Sequence, residues 1–418
     1  MRCLVDGISH LGEGVARIDG KATFIPFAIP GETVEVEITQ DKKKYQRAKI
    51  VEIINSSPDR ITPDCPHYYE CGGCAYQHMS YTKQLALKQR VVTENMNRIG
   101  KLELQVNPIV GMEDPWRYRN KVEWHVDRIN GQLRMGYYQN DSHKIIDITT
   151  CKLISQAMED ISLYIKARLE ALNLPDHSEI VIRQSSLNNQ LMVVFKGEGT
   201  DNVNIDCLLN YADLESIYCI DEENYTLLSG EPYLEEDING VHYDISALSF
   251  FQVNSIQTRK LYEIVKEFAQ LKRSDRVLDA YCGIGSIALY LAPSTRKIIG
   301  VESYAPAIQD AVHNTQKNQI RNCDFITGAC EQIIPQLIDE FDLVVLDPPR
   351  AGCSEELIES IVSLIPERIV YASCNPATLA RDLALLASAG YAAMEIQPID
   401  MFPQTSHVEC VVRIYRKD

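Results

Sequence analysis

Val277-Leu278-Asp279-Ala280-Tyr281-Cys282-Gly283-Ile284-Gly285-Ser286 decides the fold of this chain. The apolar start reads as a strand, the two glycines as a tight turn, and Ser286 as the first residue of a helix. Glycine at Gly283 and Gly285 lets the backbone approach a ligand closely. A second strand ends at Gly300-Val301-Glu302, 23 residues after Asp279. An acid at such a strand end can accept hydrogen bonds from both hydroxyls of a ribose. The third glycine of a dinucleotide fingerprint is absent, and a single G-x-G fits several nucleotide folds.

Strand and helix signals alternate on both sides of this turn. A helix is expected around 255–271, and strands at Ile298–Glu302, Phe325–Thr327, Leu343–Asp347, Ile369–Ser373 and Val408–Tyr415. That alternation predicts βαβ units and a mostly parallel, doubly wound sheet over residues 251–418. With Glu302 in place, the segment resembles the class I methyltransferase fold, in which S-adenosylmethionine lies across the strand ends.

Three further motifs fall where such sheets place their ligands, outside the carboxyl ends of the strands or in the loops there. They are Leu346-Asp347-Pro348-Pro349-Arg350-Ala351-Gly352, Tyr371-Ala372-Ser373-Cys374-Asn375-Pro376 and His407-Val408-Glu409. Taken alone, Cys374 reads equally well as a buried thiol, and Glu409 as a surface carboxylate. Asp-Pro-Pro-Arg, Ser-Cys-Asn-Pro and His-x-Glu in this order resemble the RNA 5-methyluridine (uracil-C5) methyltransferase family. Ser249-Phe250-Phe251-Gln252-Val253-Asn254 and Tyr118-Arg119-Asn120-Lys121 match it as well.

The resemblance implies transfer of a methyl group from S-adenosylmethionine to C5 of a uridine in RNA. Carbon 5 of uracil is a poor nucleophile toward a sulfonium methyl. A thiolate added at C6 turns the ring into an enolate with carbanion character at C5. A base must then take the C5 proton so that the thiolate can leave. Cys374 is assigned as nucleophile and Glu409 as base. The enolate oxygen needs electrostatic help that the sequence does not locate. Gln252, Tyr281, Glu302 and Asp347 match the family's cofactor positions, with Gly283 and Gly285 beside them; Ser286 falls where other members carry Asn and is given less weight. Tyr118, Arg119, Asn120 and Lys121 are placed nearest a flipped-out nucleotide.

The N-terminal reading is independent. Residues 1–57 carry Val34-Glu35-Val36-Glu37-Ile38 with period two, and Gly7, Gly12, Gly14, Gly20 and Gly31 interrupt the segment at short intervals. Short strands with frequent turns predict a small barrel. Gly12-Glu13-Gly14, Phe24-Ile25-Pro26 and Pro30-Gly31-Glu32 resemble the TRAM domain, an OB-like RNA-binding barrel. Lys42, Lys43, Lys44, Arg47 and Lys49 form a basic run that suits either a solvated loop or RNA. Residues 58–250 are expected to form an α+β central domain, with a helical stretch near 79–108 that can pack on the C-terminal domain.

Thirteen cysteines among 418 residues, an odd number, do not make a disulfide framework. Cys207, Cys219 and Cys323 suit small apolar packing. Cys65, Cys71 and Cys74 form C-x5-C-x2-C and need a fourth partner. Tetrahedral zinc fits that spacing as well as an iron–sulfur cluster does. The resemblance supplies Cys151 as the fourth ligand and favours a [4Fe-4S] cluster. Full-length similarity, barrel and cysteines included, resembles the ribosomal RNA branch, so 23S ribosomal RNA is the expected partner and transfer RNA the alternative.

The net charge of −17 sits badly with an RNA enzyme until it is located. Residues 153–250 hold 4 basic and 18 acidic groups, whereas 83–152 hold 12 basic and 8 acidic. Backbone binding depends on the local field, so the total does not exclude RNA. With no long apolar run and no apolar leader, a cytoplasmic protein is expected, with no membrane and no protein partner implied. A radical S-adenosylmethionine enzyme would need C-x3-C-x2-C. A cytosine-5 RNA methyltransferase would carry Asp-x-Pro-Cys at 347–350. A non-enzymatic RNA-binding iron–sulfur protein would need no cofactor turn.

Overall fold

The structure, a computed structural model, describes residues 1–140, 142–221 and 224–417. The C-terminal sheet is built from β1 (Gln105–Val106), β2 (Arg276–Ala280), β3 (Lys297–Glu302), β4 (Cys323–Thr327), β5 (Leu343–Leu346), β6 (Arg368–Ser373), β7 (Tyr391–Ile399) and β8 (Glu409–Arg416). Their order across the sheet is β4-β3-β2-β5-β6-β8-β7-β1. Strands β2 to β6 run parallel, and β8 returns antiparallel between β6 and β7. Every residue of β5 and β6 is buried. Such fully buried, mostly apolar runs suit strands covered on both faces.

Two apolar layers supply that cover. One face carries Leu278, Val344, Tyr371 and Leu383; the other carries Val265, Val277, Val345 and Ile287. Helix α1 (Tyr81–Asn95) belongs to the first layer through Val92, although it precedes the parallel strands β2 to β6 by nearly two hundred residues of chain. Ser80 caps it by accepting from the Lys83 amide. The chain then lays down β1 beside β7 before leaving to build the middle of the molecule.

Residues 121–230 form a seven-stranded sheet covered by helix α2 (Gln156–Lys166). Trp124 Nε1 donates to Ser162 Oγ at 2.9 Å and fixes the helix on the sheet. At the N-terminus, six short strands between Arg2 and Asn55 pair around a core of Val5, Ala16, Ile25, Val34 and Val36. This is an OB-like β fold, and the whole chain is α/β with a Rossmann-like C-terminal sheet. Among the described residues no helix is long and apolar enough to cross a membrane.

Candidate active site

The glycine turn opens at the carboxyl end of β2. Gly283 and Gly285 have φ of 53° and 74°, the left-handed region. A Cβ on Gly285 would stand 2.7 Å from Phe325 Cζ, so both torsion and packing require glycine there. Glu302, ending β3, accepts from the Gly283 amide at 3.3 Å and from the Tyr304 amide at 2.8 Å. Tyr281 donates its hydroxyl to Glu331 at 2.7 Å. The hydroxyl of Ser286, half-buried, accepts from Tyr262 at 2.7 Å.

Asp279, a residue the sequence reading passed over as strand, belongs to this group. It is buried at the end of β2, with Oδ1 unpartnered and Oδ2 accepting from the Ala288 amide at 3.1 Å. Burial and the neighbouring Asp347 push its carboxyl up to about 8. Burial pushes Asp347 up to about 7. The strand ends thus hold acids in surroundings that favour a cationic neighbour. The available signal was an Asp closing an otherwise apolar strand.

Gln252 is held from behind. Asn120 donates its side-chain amide to the Gln252 carbonyl at 3.1 Å and to Ser255 Oγ at 3.0 Å, and its backbone N–H donates to Val253. Of the four neighbours expected near RNA, Tyr118 is buried with its hydroxyl on the Pro403 carbonyl at 3.0 Å. Lys121 pairs with Glu123 at 3.6 Å. Arg119 alone of the four lines an open cleft of ≈ 440 Å³ between the barrel, the cysteine segment and His407.

Cys374 and Glu409 meet through strand register. Ser373 of β6 pairs with Cys410 of β8, and Cys374, the next residue after β6, lies close enough to Glu409 for the carboxylate charge to act on its thiol. Cys374 is partly exposed, whereas Cys282, Cys353 and Cys410 are buried. Burial, then the charge of Glu409, push the Cys374 thiol up to about 11, while Arg350 pulls it down. Burial and Asp347 hold Glu409 well above the usual carboxylate range, again opposed by Arg350. The Arg350 carbonyl accepts from Asn375 Nδ2 at 3.0 Å, which joins the Asp-Pro-Pro-Arg loop to the Ser-Cys-Asn-Pro loop. Its guanidinium lies 3.4 Å from His407 Nε2. Burial, then Arg350, push His407 down to about 4, so it is a neutral acceptor at physiological pH.

Cys65, Cys71, Cys74 and Cys151 line one cavity of ≈ 110 Å³, together with Arg119 and Tyr137. Burial, with a smaller contribution from Cys151, pushes the Cys71 thiol up to about 11 and the Cys74 thiol up to about 12. Among the described residues, no three Cys, His, Asp or Glu side chains are gathered tightly enough to hold one metal ion.

A Rossmann-like sheet carrying this turn and these acids, joined to a TRAM barrel, defines an S-adenosylmethionine-dependent methyltransferase that acts on RNA. The family model described as tRNA (uracil-5-)-methyltransferase matches residues 227–417, and that of the TRAM domain matches residues 1–51. The chain is 40% identical to an uncharacterized RNA methyltransferase of Listeria innocua, over 97% of this chain and 95% of that one. It is 37% identical to one of Halalkalibacterium halodurans, over 99% and 96%. The crystal structure of Pyrococcus abyssi tRNA (uracil-54, C5)-methyltransferase with S-adenosyl-L-homocysteine superposes with a TM-score of 0.79 at 28% identity, covering 99% of each chain. The chain belongs to the RNA uracil-5-methyltransferase family and uses S-adenosylmethionine.

Proposed function

We propose that the protein methylates C5 of a uridine in 23S ribosomal RNA through a covalent bond between Cys374 and C6 of the base. The observation that carries the mechanism is the meeting of Cys374 and Glu409 at the adjoining ends of β6 and β8, with Arg350 acting on both. Cys374, partly exposed, loses its thiol proton to solvent and adds to C6 as the thiolate, and the π pair of the C5=C6 bond moves toward C5 and the exocyclic C4 carbonyl oxygen. Arg350 supplies the nearby positive charge that the developing enolate needs. C5 then takes the methyl group from the sulfonium. Glu409, in the carboxylate form that Arg350 favours, accepts the C5 proton, the C5=C6 bond re-forms, and Cys374 leaves as thiolate.

Gln252, Tyr281, Gly283, Gly285, Glu302 and Asp347 are assigned to the methyl donor, with Asp279 behind them. Glu302 is placed for the ribose, and Asp347 for the positive end of the molecule. The uridine must be flipped out to reach Cys374. Arg119, Arg47, Phe27 and Tyr69 line the cleft leading to His407, a mixture of cations and aromatic faces that suits a single-stranded RNA segment.

Cys65, Cys71, Cys74 and Cys151 are assigned to a [4Fe-4S] cluster. Four thiolates on one zinc ion lie about 3.8 Å apart, given Zn–S bonds near 2.3 Å. The cavity that these four line suits a cluster that brings its own sulfides. Methyl transfer needs no electron, so the cluster would supply cross-linking, tying Cys151 to a segment some eighty residues earlier.

The ribosomal target rests on the joint presence of barrel and cysteine pattern. A transfer RNA target is the second reading, favoured by the full-length likeness to the Pyrococcus abyssi enzyme. Mapping 5-methyluridine in ribosomal and transfer RNA from cells lacking the protein separates them. Loss of the mark from 23S RNA alone is expected; loss from transfer RNA alone overturns the assignment. Tritium release from uridine, and none from cytidine, excludes the cytosine-5 reaction.

A further inference from the structure

Glu409 is approached by a loop, Asp400 to His407, whose footing lies outside the C-terminal domain. The carbonyl of Gln404 accepts two hydrogen bonds from the segment that follows Cys74: Ala75 N at 2.9 Å and Tyr76 N at 3.0 Å. The side chain of Gln84, on α1, closes the same joint. Its amide nitrogen donates to Tyr76 O at 3.1 Å, to Met79 O at 3.1 Å and to Gln404 Oε1 at 2.9 Å. Its oxygen accepts from Gln404 N at 3.1 Å. Gln84 and Gln404 are 1% and 2% exposed, so water cannot replace these partners if they separate. Gln404 holds a φ of 68°, costly for a residue with a side chain, and the joint maintains it.

The barrel presses on the same spot. A Cβ on Gly12 would stand 2.8 Å from Tyr76 Cε1, 3.1 Å from Ala75 Cβ and 3.3 Å from Ser406 Cβ. One peptide unit therefore separates Cys74 from a hydrogen bond to the loop that presents His407 and Glu409. An apolar residue at Gln84 would fill the same space but take away the partner that Gln84 gives to the Tyr76 and Met79 carbonyls and to the Gln404 amide.

We propose that Gln84 and Gln404 are positioning residues, coupling the four-cysteine site to the proton-abstraction step. With the cysteine segment fixed, the joint holds the 404–409 loop so that Glu409 faces C5. When that segment loosens, the loop loses two acceptor contacts and the base drifts, while Cys374, on a different strand end, keeps its place. This rests on the reading of Glu409 as base, and the test below separates the two ideas.

The experiment compares anaerobically purified wild type, Gln84→Met and Gln404→Gly. The probe is RNA tritiated at uridine C5, isolated from cells lacking the protein. Backbone amide exchange is read at 404–409 against the adjoining strand 410–415. In Gln84→Met the 404–409 amides should exchange at least about tenfold faster with iron content unchanged. Tritium release should slow about 10- to 100-fold, the scale of a misplacement near 1 Å, while methyl incorporation into protein-bound RNA falls less than about threefold. Gln404→Gly keeps the backbone carbonyl and the left-handed torsion, so it should give the same signature more weakly even if Gln84→Met folds poorly. Stripping the metal from wild type should raise exchange at both 65–76 and 404–409. Unchanged protection of 404–409 in both variants, or equal slowing of methyl incorporation and tritium release, overturns the coupling. Failure of Glu409 itself as base would show as normal release in Glu409→Gln and would leave the exchange results standing.

Discussion

Cys374 rests as a thiol, because its surroundings hold it near 11. Arg350 is the group that opposes this, and it opposes the protonation of Glu409 as well. Arg350→Met should therefore slow methyl transfer about 100-fold, the usual loss for one preorganised charge donor, and should move the alkaline limb of the rate profile upward. Cys374→Ala should abolish transfer while binding of the methyl donor survives. Glu409→Gln should instead trap a methyl-labelled protein–RNA adduct that resists denaturation and disappears when Cys374 is also replaced; free 5-methyluridine at the normal rate would sink the assignment. Asp347 gives a pH prediction. Its carboxyl is raised to about 7, so the empty folded protein binds a proton that the unfolded chain, near the ordinary value, has already lost. Stability from this group is present at low pH and falls as pH rises through that window. A cationic ligand beside Asp347 reverses the preference. The affinity for S-adenosylmethionine should tighten up to about tenfold per pH unit below about 7 and level off above it, with proton release measurable by calorimetry in two buffers.

At the scale of elements, α1 and the loop it grips are the sensitive joint. Lys88 Nζ and Asp400 Oδ1 lie 2.5 Å apart, both fully buried, and Tyr81 donates to the other Asp400 oxygen at 2.8 Å. Lys88→Met strands a carboxylate in the core. It should cost about 3–5 kcal/mol in denaturant unfolding, and Lys88→Met combined with Asp400→Leu should recover a large part of that. Gly285→Ala should weaken both stability and binding of the methyl donor, since its new methyl meets Phe325. The sequence made the parallel strands legible, because the apolar runs Leu343–Leu346 and Ile369–Ala372 lie just ahead of Asp347 and Cys374. It hid β7: Ala392-Ala393-Met394-Glu395 has helical propensity, and the strand carries a bulge and Pro398. Tyr118 and Asn120 stood out as a motif, but their partners, Pro403 and Gln252, lie more than a hundred residues away. No local pattern distinguishes a side chain that holds a loop from one that holds RNA. Lys88 and Gln84 were invisible for the same reason, since on a helix they read as ordinary solvated residues.

The whole molecule concentrates its acid in 153–250 and keeps basic groups in the barrel and in 83–152. RNA affinity should fall steeply with added salt, and Arg119→Ala should reduce that slope by about one unit. Cys151→Ser should lower iron content and melting temperature together, ahead of any change in the chemical step; full stability without metal would count against the cluster. The path of the chain has one more consequence, and it concerns synthesis. Lys88 leaves the ribosome 312 residues before Asp400, and β1 emerges long before β7, the strand it borders. The first hundred residues hold pieces of a domain whose remainder is not yet made. A gene fragment starting at 251 would code for a sheet with a bare edge and an orphaned buried acid, so this enzyme cannot be shortened to its chemistry or shuffled as a cassette.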